Sequence, residues 1–398
     1  MSDRPQPLSQ KHVRVTNAWR VLERVRAAET TSRVRIAAET GLTVTTVHRL
    51  VADLQNRRLL VNGEMAGTGG VGRPATRFRF NARVGHVIGI DVGNETTRAG
   101  LAHLDGQIIA SDDCPTAQIA SDLVGGIEGI IRGLQERAAV RPDSLVAICI
   151  GVPGVIDPAG DVIVRASLHQ PWEGMPLGSE LRRSLGVEVT VAQDDHLTAV
   201  AELRRGACVG LRHALIVNIG KGIGAGLVID GEPFYGARAA AGRLGWIPLP
   251  LADGTDASGT DGMPPVAPAS QLLTADGLIA DYRRFGGQAE MGGAIDVFAA
   301  DRASDPAAGR AIDRFAERLG TCIGMGVAIM DPQIVVIGGG ISAAFDRLRP
   351  IVMSRLSEIV HMPPNVVASK IALDAGVVGA IEAALERADA WLVDLISA

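Results

Sequence analysis

Between Arg79 and Gly106 the chain reads RFNARVGHVIGIDVGNETTRAGLAHLDG, and this stretch constrains the fold more than any other. Val87 to Val92 is an apolar run of strand length and Gly93 to Thr96 is a tight turn. Thr97 to Leu104 is a returning strand, closed by the turn dipeptide Asp105-Gly106. The result is a glycine-centred hairpin beginning at Asp91. The same stretch divides the chain chemically. Residues 1–80 hold 14 Lys and Arg against 6 Asp and Glu, a net +8, whereas the remainder holds 25 against 38, a net −13. A basic front on an acidic body predicts that only the front meets nucleic acid, where neutralised phosphates supply affinity; a solvated charge run is the plainer alternative.

The front has the periodicity of three helices. Trp19, Val21, Leu22 and Val25 recur with helical spacing over Asn17 to Ala28, and Ser32 to Thr40 forms a second short helix ended by Gly41. In the third helix Thr43 is placed to cap, and Val44, Val47, Leu50, Val51 and Leu54 form an inward stripe. That leaves Thr45, Thr46, His48, Arg49 and Gln55 outward, where small hydroxyls and a cation suit phosphates and base edges of a major groove. Leu59 to Glu64 and Ala75 to Phe80 alternate like the strands of a wing, with Arg77 and Arg79 on one face. The loop between them, GTGGVGRPA, places Arg73 for insertion into a narrow minor groove, or is an ordinary loop with one charge.

The body reads as α/β. Leu145 to Gly151 is a buried strand, Pro176 to Leu185 an amphipathic helix, and Val187 to Ala192 a further strand. At the end of that strand sits the polar cluster Gln193-Asp194-Asp195-His196, where open α/β sheets place ligand chemistry, although helix capping by Asp194 or Asp195 is an equally simple use. Ala214 to Ile219 enters GKGIGAG, Gly220 to Gly226, whose glycines either turn backbone N–H groups towards an anion or make a tight hairpin. Ile334 to Ile337 leads into Gly338-Gly339-Gly340. Ala252 to Pro268 has the composition of a mobile surface loop, and the last helix, Val377 to Ile396, is expected to pack back on the first part of the body.

At 398 residues, 47% hydrophobic and 21% charged, the chain is a soluble globular protein of two or three domains. No apolar run approaches the ~18 residues of a membrane span and the start, MSDRPQPLSQ, has no signal-peptide core, so a cytoplasmic location without membrane contact is expected. Cys114, Cys149, Cys208 and Cys322 form no C-x-x-C pair, and they read as incidental thiols rather than metal ligands or disulfides.

Taken together, TGLTVTTVHRL, GGVGRPA, VIGIDVG, GVPGVID, W-x-G-M-P-L, VAQDD, GIGAGLVIDG and DPQIVVIGGGIS occur in the order of a known family. From about Asn17 to its C-terminus the chain resembles the ROK family of repressors, open reading frames and sugar kinases, in particular its transcriptional-regulator branch. The resemblance implies an α/β fold: a winged helix-turn-helix over residues 1–80, then an actin-like (ribonuclease H-like) two-lobed body. Lobe 1 would span 81–193, completed by the helix at 377–398, and lobe 2 would span 194–376 with the effector cleft and oligomerisation surfaces. It further implies a homodimer or homotetramer.

Asp194 matches the family's general base, with Gln193 standing where the kinases have Asn. Other positions depart from the kinase pattern. Glu95 lies where the first phosphate-binding hairpin would repel a triphosphate, and Lys221 replaces a small hydroxyl residue in the second loop. The family's sugar-gripping Glu is Arg243 and its zinc-binding His is Trp246. The Ala252 to Pro268 loop lacks the other zinc ligands, so no metal is expected. The Asn that often contacts sugar in the family is not evident; Leu168 or His169 stands near its place.

The sequence is therefore read as a DNA-binding regulator, a repressor of carbohydrate-related genes that acts on a double-stranded operator and has no kinase activity. Thr45, Thr46, His48, Arg49, Arg73 and Arg77 would contact DNA. His169, Gln193, Asp194, Arg243 and Trp246 would hold a small sugar-derived effector, and no cofactor is implied. Arg243 suits an anionic effector such as a sugar acid or sugar phosphate; in the opposing reading it pairs with Asp194 and closes the site. Two other readings stay open: an ATP-dependent sugar kinase with Asp194 as base and an added DNA-binding domain, and a regulator with an empty cleft that answers to a protein partner.

Overall fold

The structure, a computed structural model, describes residues 10–63, 76–166, 169–251 and 266–398. Arg73 lies outside the described residues, as does most of the Ala252 to Pro268 loop. The front folds as α1 (Gln10–Arg26), β1 (Thr31–Ser32), α2 (Arg33–Thr40), α3 (Val44–Asn56), β2 (Leu60–Asn62) and β3 (Arg77–Phe80), with a small sheet in the order β1-β3-β2. Its local signals act as the residue types require. The Ser32 hydroxyl accepts from Arg35 N, Gly41 ends α2 in the left-handed region at φ 72°, and the Thr43 hydroxyl accepts from Thr46 N. Val47, Leu50, Val51 and Leu54 are buried, but Val44, the first residue of α3, is exposed. Helix α1 begins well before Asn17, and only Ala18, Val21, Leu22 and Val25 on it are buried.

The body contains two sheets built on one plan. The first has β4 (His86–Val92), β5 (Thr96–His103), β6 (Ile108–Pro115), β7 (Leu145–Val152) and, after the β8 (Gly154–Ile156) and β9 (Ile163–Ala166) hairpin, β10 (Glu188–Gln193), in the order β10-β7-β4-β5-β6. Helices α4 (Leu123–Ala138) and α5 (Leu177–Leu185) cover one face of it, and α6 (Asp194–Arg205) follows β10. The second sheet has β11 (Ala214–Ile219), β12 (Ile223–Ile229), β13 (Glu232–Pro233) and, further along the chain, β16 and β17. Before those two strands come β14 (Pro248–Pro250), β15 (Val266–Pro268), α7 (Ala269–Leu272), α8 (Ala275–Arg284), α9 (Ala294–Arg302) and α10 (Pro306–Met330). Strand β16 (Ile334–Gly338), α11 (Phe345–Ile359) and β17 (Asn365–Ala368) complete the order β13-β12-β11-β16-β17. In each sheet three antiparallel strands are extended by two parallel ones, the arrangement of a ribonuclease H-like lobe.

Helix α12 (Ala375–Ser397) ties these parts together. Its first half packs on β4, β7 and α6, and its second half packs on α1. The cores of the winged helix and of this face of lobe 1 consequently merge through Val377, Ile381, Leu385, Leu392 and Ile396. Arg26 forms an ion pair with Asp389 at 2.5 Å, and Arg57 Nη1 donates to the Leu395 carbonyl at 2.6 Å. The C-terminal helix thus completes the DNA-binding front as well as lobe 1.

Candidate functional site

The two sheets face each other across a cleft of about 750 Å³. Its floor is assembled at strand ends. Asp91 comes from the end of β4, Arg98 is its cross-strand partner on β5, and Asp194 and Asp195 begin α6 directly after β10. Asn218 to Gly224 and Arg243 face them from lobe 2. The close approach depends on glycine. A Cβ at Gly376 would lie 2.2 Å from Asp91 Oδ2, and one at Gly224 would lie 1.8 Å from Asp195 Oδ2. Gly226 is pressed in the same way against the Asp195 carbonyl and the Ala199 methyl. The glycine run therefore serves mainly to let α6 lie on β12: residues 220–222 form the turn and Gly224 and Gly226 lie within a strand.

Three carboxyl groups share this floor, and burial raises each of them. Asp91 is pushed up to about 6, opposed by Arg98 and reinforced by Asp195. Asp194 is held well above the ordinary carboxyl range, first by burial and then by the neighbouring Asp195 and Asp91 charges. Burial also raises Asp195, against the pull of Arg243 and of side-chain hydrogen bonds from Gln193 and Asn218. Asp194 Oδ1 accepts from Asp195 N at 3.0 Å. His196, next along α6, is pushed down to about 4 by burial and stays neutral, with Nε2 3.2 Å from the Ala241 carbonyl oxygen.

Of the five residues expected to hold an effector, the cleft brings together Asp194, Arg243 and Trp246. Gln193 is 1% exposed and donates to Asp195 Oδ2 at 3.3 Å, and it is not among the residues lining the cleft. It positions the floor from behind. His169 stacks on Trp172 at 4.2 Å and also lies off the lining. Arg243 lies close enough to Asp195 and Asp194 to feel both charges, yet its Nε and Nη2 are buried without a hydrogen-bond partner. Its guanidinium stands 5.7 Å over the Trp246 ring. The sequence does not single out Arg98, and it marks Asp91 and Asp195 only as the start of the hairpin and as part of the polar cluster, although counting the hairpin back from its turn pairs Asp91 with Arg98.

The two departures in the phosphate-loop positions meet each other. Lys221 Nζ lies 3.1 Å from Glu95 Oε1, an ion pair joining the turn after β4 to the turn after β11 across the cleft.

On the front, Thr45, His48 and Arg49 are exposed on α3, and Thr46 is half-buried with its hydroxyl 2.9 Å from that of Thr43. Arg77 Nη1 donates to Thr30 Oγ1 at 2.8 Å, whereas Arg79 on the same strand is exposed. All four cysteines are free; Cys149, Cys208 and Cys322 are buried, which pushes each thiol up to about 12. Among the described residues no cluster of His, Cys, Asp or Glu suits a metal ion, and no helix is long and apolar enough to cross a membrane.

The chain belongs to the ROK family, which it matches over residues 87–387, and residues 15–63 match the IclR helix-turn-helix domain. It is a ROK protein with a DNA-binding type of front on a sugar-kinase-like body. It is similar to the xylose repressor of Caldicellulosiruptor bescii, 25% identical over 356 residues and covering 87% of each chain. It is also similar to the glucokinase of Thermotoga maritima, 29% identical over 316 residues that make up 76% of this chain and 98% of the kinase. Among solved structures, a ROK-family transcriptional regulator homologous to the Mlc protein of E. coli superposes with a TM-score of 0.78 at 21% identity, covering 97% and 100% of the two chains. A ROK glucokinase from Streptomyces griseus, in complex with glucose and AMPPNP, superposes with a TM-score of 0.64 at 22% identity over 76% of this chain.

Proposed function

We propose that this chain is a transcriptional regulator, a repressor of carbohydrate-related genes, that binds operator DNA through its winged helix. In this reading it senses a sugar-derived molecule in the interlobe cleft and transfers no phosphoryl group. The observation that carries the last point is the Glu95–Lys221 ion pair. Phosphoryl transfer depends on positioned donors around the phosphates. Here a carboxylate occupies the first loop, and the lysine of the second loop is engaged with it. The xylose repressor shares both the front and the body with this chain, while the glucokinase accounts for the body alone.

The effector would rest against Asp194, Arg243 and Trp246. An acidic sugar derivative fits better than a neutral one, because Asp194 and Asp195 leave two guanidinium nitrogens of Arg243 without hydrogen bonds. A small rotation of the side chain would present them to a carboxylate. Helix α12 begins at the cleft with Gly376 against Asp91 and ends in the core of the winged helix, so a ligand that moves the lobes acts on the DNA-binding front. The protein would work as a homodimer or homotetramer on a palindromic site, in the cytoplasm with the chromosome.

Two measurements on the purified chain test this reading. Selection from random DNA should enrich a palindromic motif, and incubation with ATP and a panel of sugars should yield no sugar phosphate. Turnover abolished by Asp194→Asn would replace the proposal with the kinase reading.

A further inference from the structure

The cleft that we read as an effector site has an apolar rim above its charged floor. Trp246 is 65% exposed, Ile295 74% and Leu373 54%, and all three line the same cavity. They come from segments remote in sequence: the turn Leu244–Trp246, the first turn of α9, and the short helical turn just before α12. Single exposed apolar residues are ordinary on a protein surface. Three large ones lining one cavity, each more than half exposed, leave apolar surface that a ligand in the cavity would cover. Arg243 stands over the Trp246 ring, and the indole still leaves most of its surface free for a planar group. A cavity of about 750 Å³ lies in the upper part of the range of ~300–1,000 Å³ that holds drug-sized ligands, larger than one sugar ring requires.

We infer that the effector is an amphipathic glycoside, with its sugar on the floor at Asp194 and Arg243 and an aromatic substituent laid on Trp246, Ile295 and Leu373 being the other exposed apolar side chains of the same cavity. This rests on the effector reading of the cleft and adds the aglycone to it. The floor supplies hydroxyl and acid recognition, and the rim supplies the apolar contact that a free sugar would leave unused.

Isothermal titration of the full-length protein tests it. The probes are methyl and phenyl β-D-glycosides of glucose, xylose, N-acetylglucosamine and glucuronic acid, together with adenosine. For whichever sugar binds, the phenyl glycoside should bind about ten- to a hundredfold more tightly than the methyl. Trp246→Ala and Ile295→Ser should each bring that ratio to within about threefold. Both residues are exposed, so a thermal melt should show that the variants remain folded. Equal affinities for phenyl and methyl pairs would overturn the aglycone and leave a sugar effector standing. Absence of binding by every glycoside would overturn both readings, and adenosine binding more tightly than every phenyl glycoside would assign the rim to a nucleoside instead.

Discussion

Lys221 and Glu95 face each other across the cleft at 3.1 Å, each from a turn that ends the first strand of its own sheet. Both side chains are substantially exposed, so the pair is worth no more than about 1 kcal/mol, and its effect lies in where it sits rather than in its strength. It links the lips of the two lobes. Lys221→Glu should leave the overall melting temperature nearly unchanged while speeding amide exchange at Gly93–Thr96 and Gly220–Gly222 by up to about fivefold. The charge swap Glu95→Lys with Lys221→Glu should restore the slower exchange. Equal exchange in all three proteins would show that the pair does not hold the lobes.

The pH dependence of stability follows from the carboxyl floor. Burial raises Asp91 from its ordinary 3.8 to about 6, so between those values the folded chain holds a proton that the unfolded chain has released. Stability from this group is fully present below about pH 4 and is lost as pH rises through about 6; Asp194, also raised by burial and by the neighbouring carboxylates, acts in the same direction. Asp91→Asn should therefore raise the melting temperature at pH 7.5 and have little effect at pH 4, which thermal melts across that range will check. A variant destabilised equally at both pH values would mean that Asp91 is held as a charged partner of Arg98.

How much of this could be read in the residues depends on the range of the forces involved. Ser32, Gly41 and Thr43 mark helix ends by contacts within a few residues, and Ala214–Ile219 is bounded by its own apolar run, so these elements were legible. Strand β6 was missed because its burial pattern is that of a mostly exposed edge strand, with no apolar run to announce it. Gln193 and His169 carry the right chemistry at plausible positions, but which side of a strand end opens to the cleft is decided by how α6 and the segment at Gln170–Trp172 pack. The same holds for Gly224 and Gly226, whose spacing fits an anion loop equally well until α6 is seen lying on them. Nothing local told that Glu95 and Lys221 would meet, or that the last helix would enter the winged-helix core.

That close seating of α6 makes Gly226 a sensitive position. A methyl there would stand 2.5 Å from the Asp195 carbonyl and 2.4 Å from the Ala199 Cβ, and backbone on one side leaves little room to yield. Gly226→Ala should destabilise the chain by about 1–3 kcal/mol and displace Asp194 and Asp195 from the floor. Denaturant titration measures the first effect. A variant as stable as the parent would mean that α6 slides freely on β12.

The merged core at the C-terminal helix predicts that damage there reaches the front. Leu392 is fully buried in it, and Leu392→Ala should cost about 2–4 kcal/mol. More telling is where the loss appears. Amide exchange in α1 should accelerate more than in the lobe 2 strand β16, because α1 packs on α12 and β16 does not share that core. Uniform acceleration in both elements would indicate one cooperative unit without a separable front.

The winged-helix surface separates its cations by their present engagement. Arg49 is exposed on α3 beside Thr45 and His48, and Arg79 is exposed on β3, whereas the Arg77 guanidinium is tied to Thr30. An arginine already hydrogen-bonded within the fold has less freedom to reach a phosphate, and its removal disturbs β3 rather than the DNA contact. Arg79→Ala should therefore weaken operator binding and lower the steepness of its salt dependence by about one phosphate's worth. Arg77→Ala should leave the salt slope unchanged. Arg49→Ala distinguishes the two ways an exposed α3 cation is used. A contact to a base edge would relax discrimination at one operator position by about 1–3 kcal/mol per base pair and leave the salt slope alone, while a phosphate contact would lower affinity evenly across sequences. The position of Arg49 in the second turn of α3, next to hydroxyls suited to base edges, predicts the first pattern. Fluorescence anisotropy on the selected operator and its single-base variants, measured at several salt concentrations, gives both readouts, and an unchanged affinity for Arg49→Ala would remove α3 from the groove.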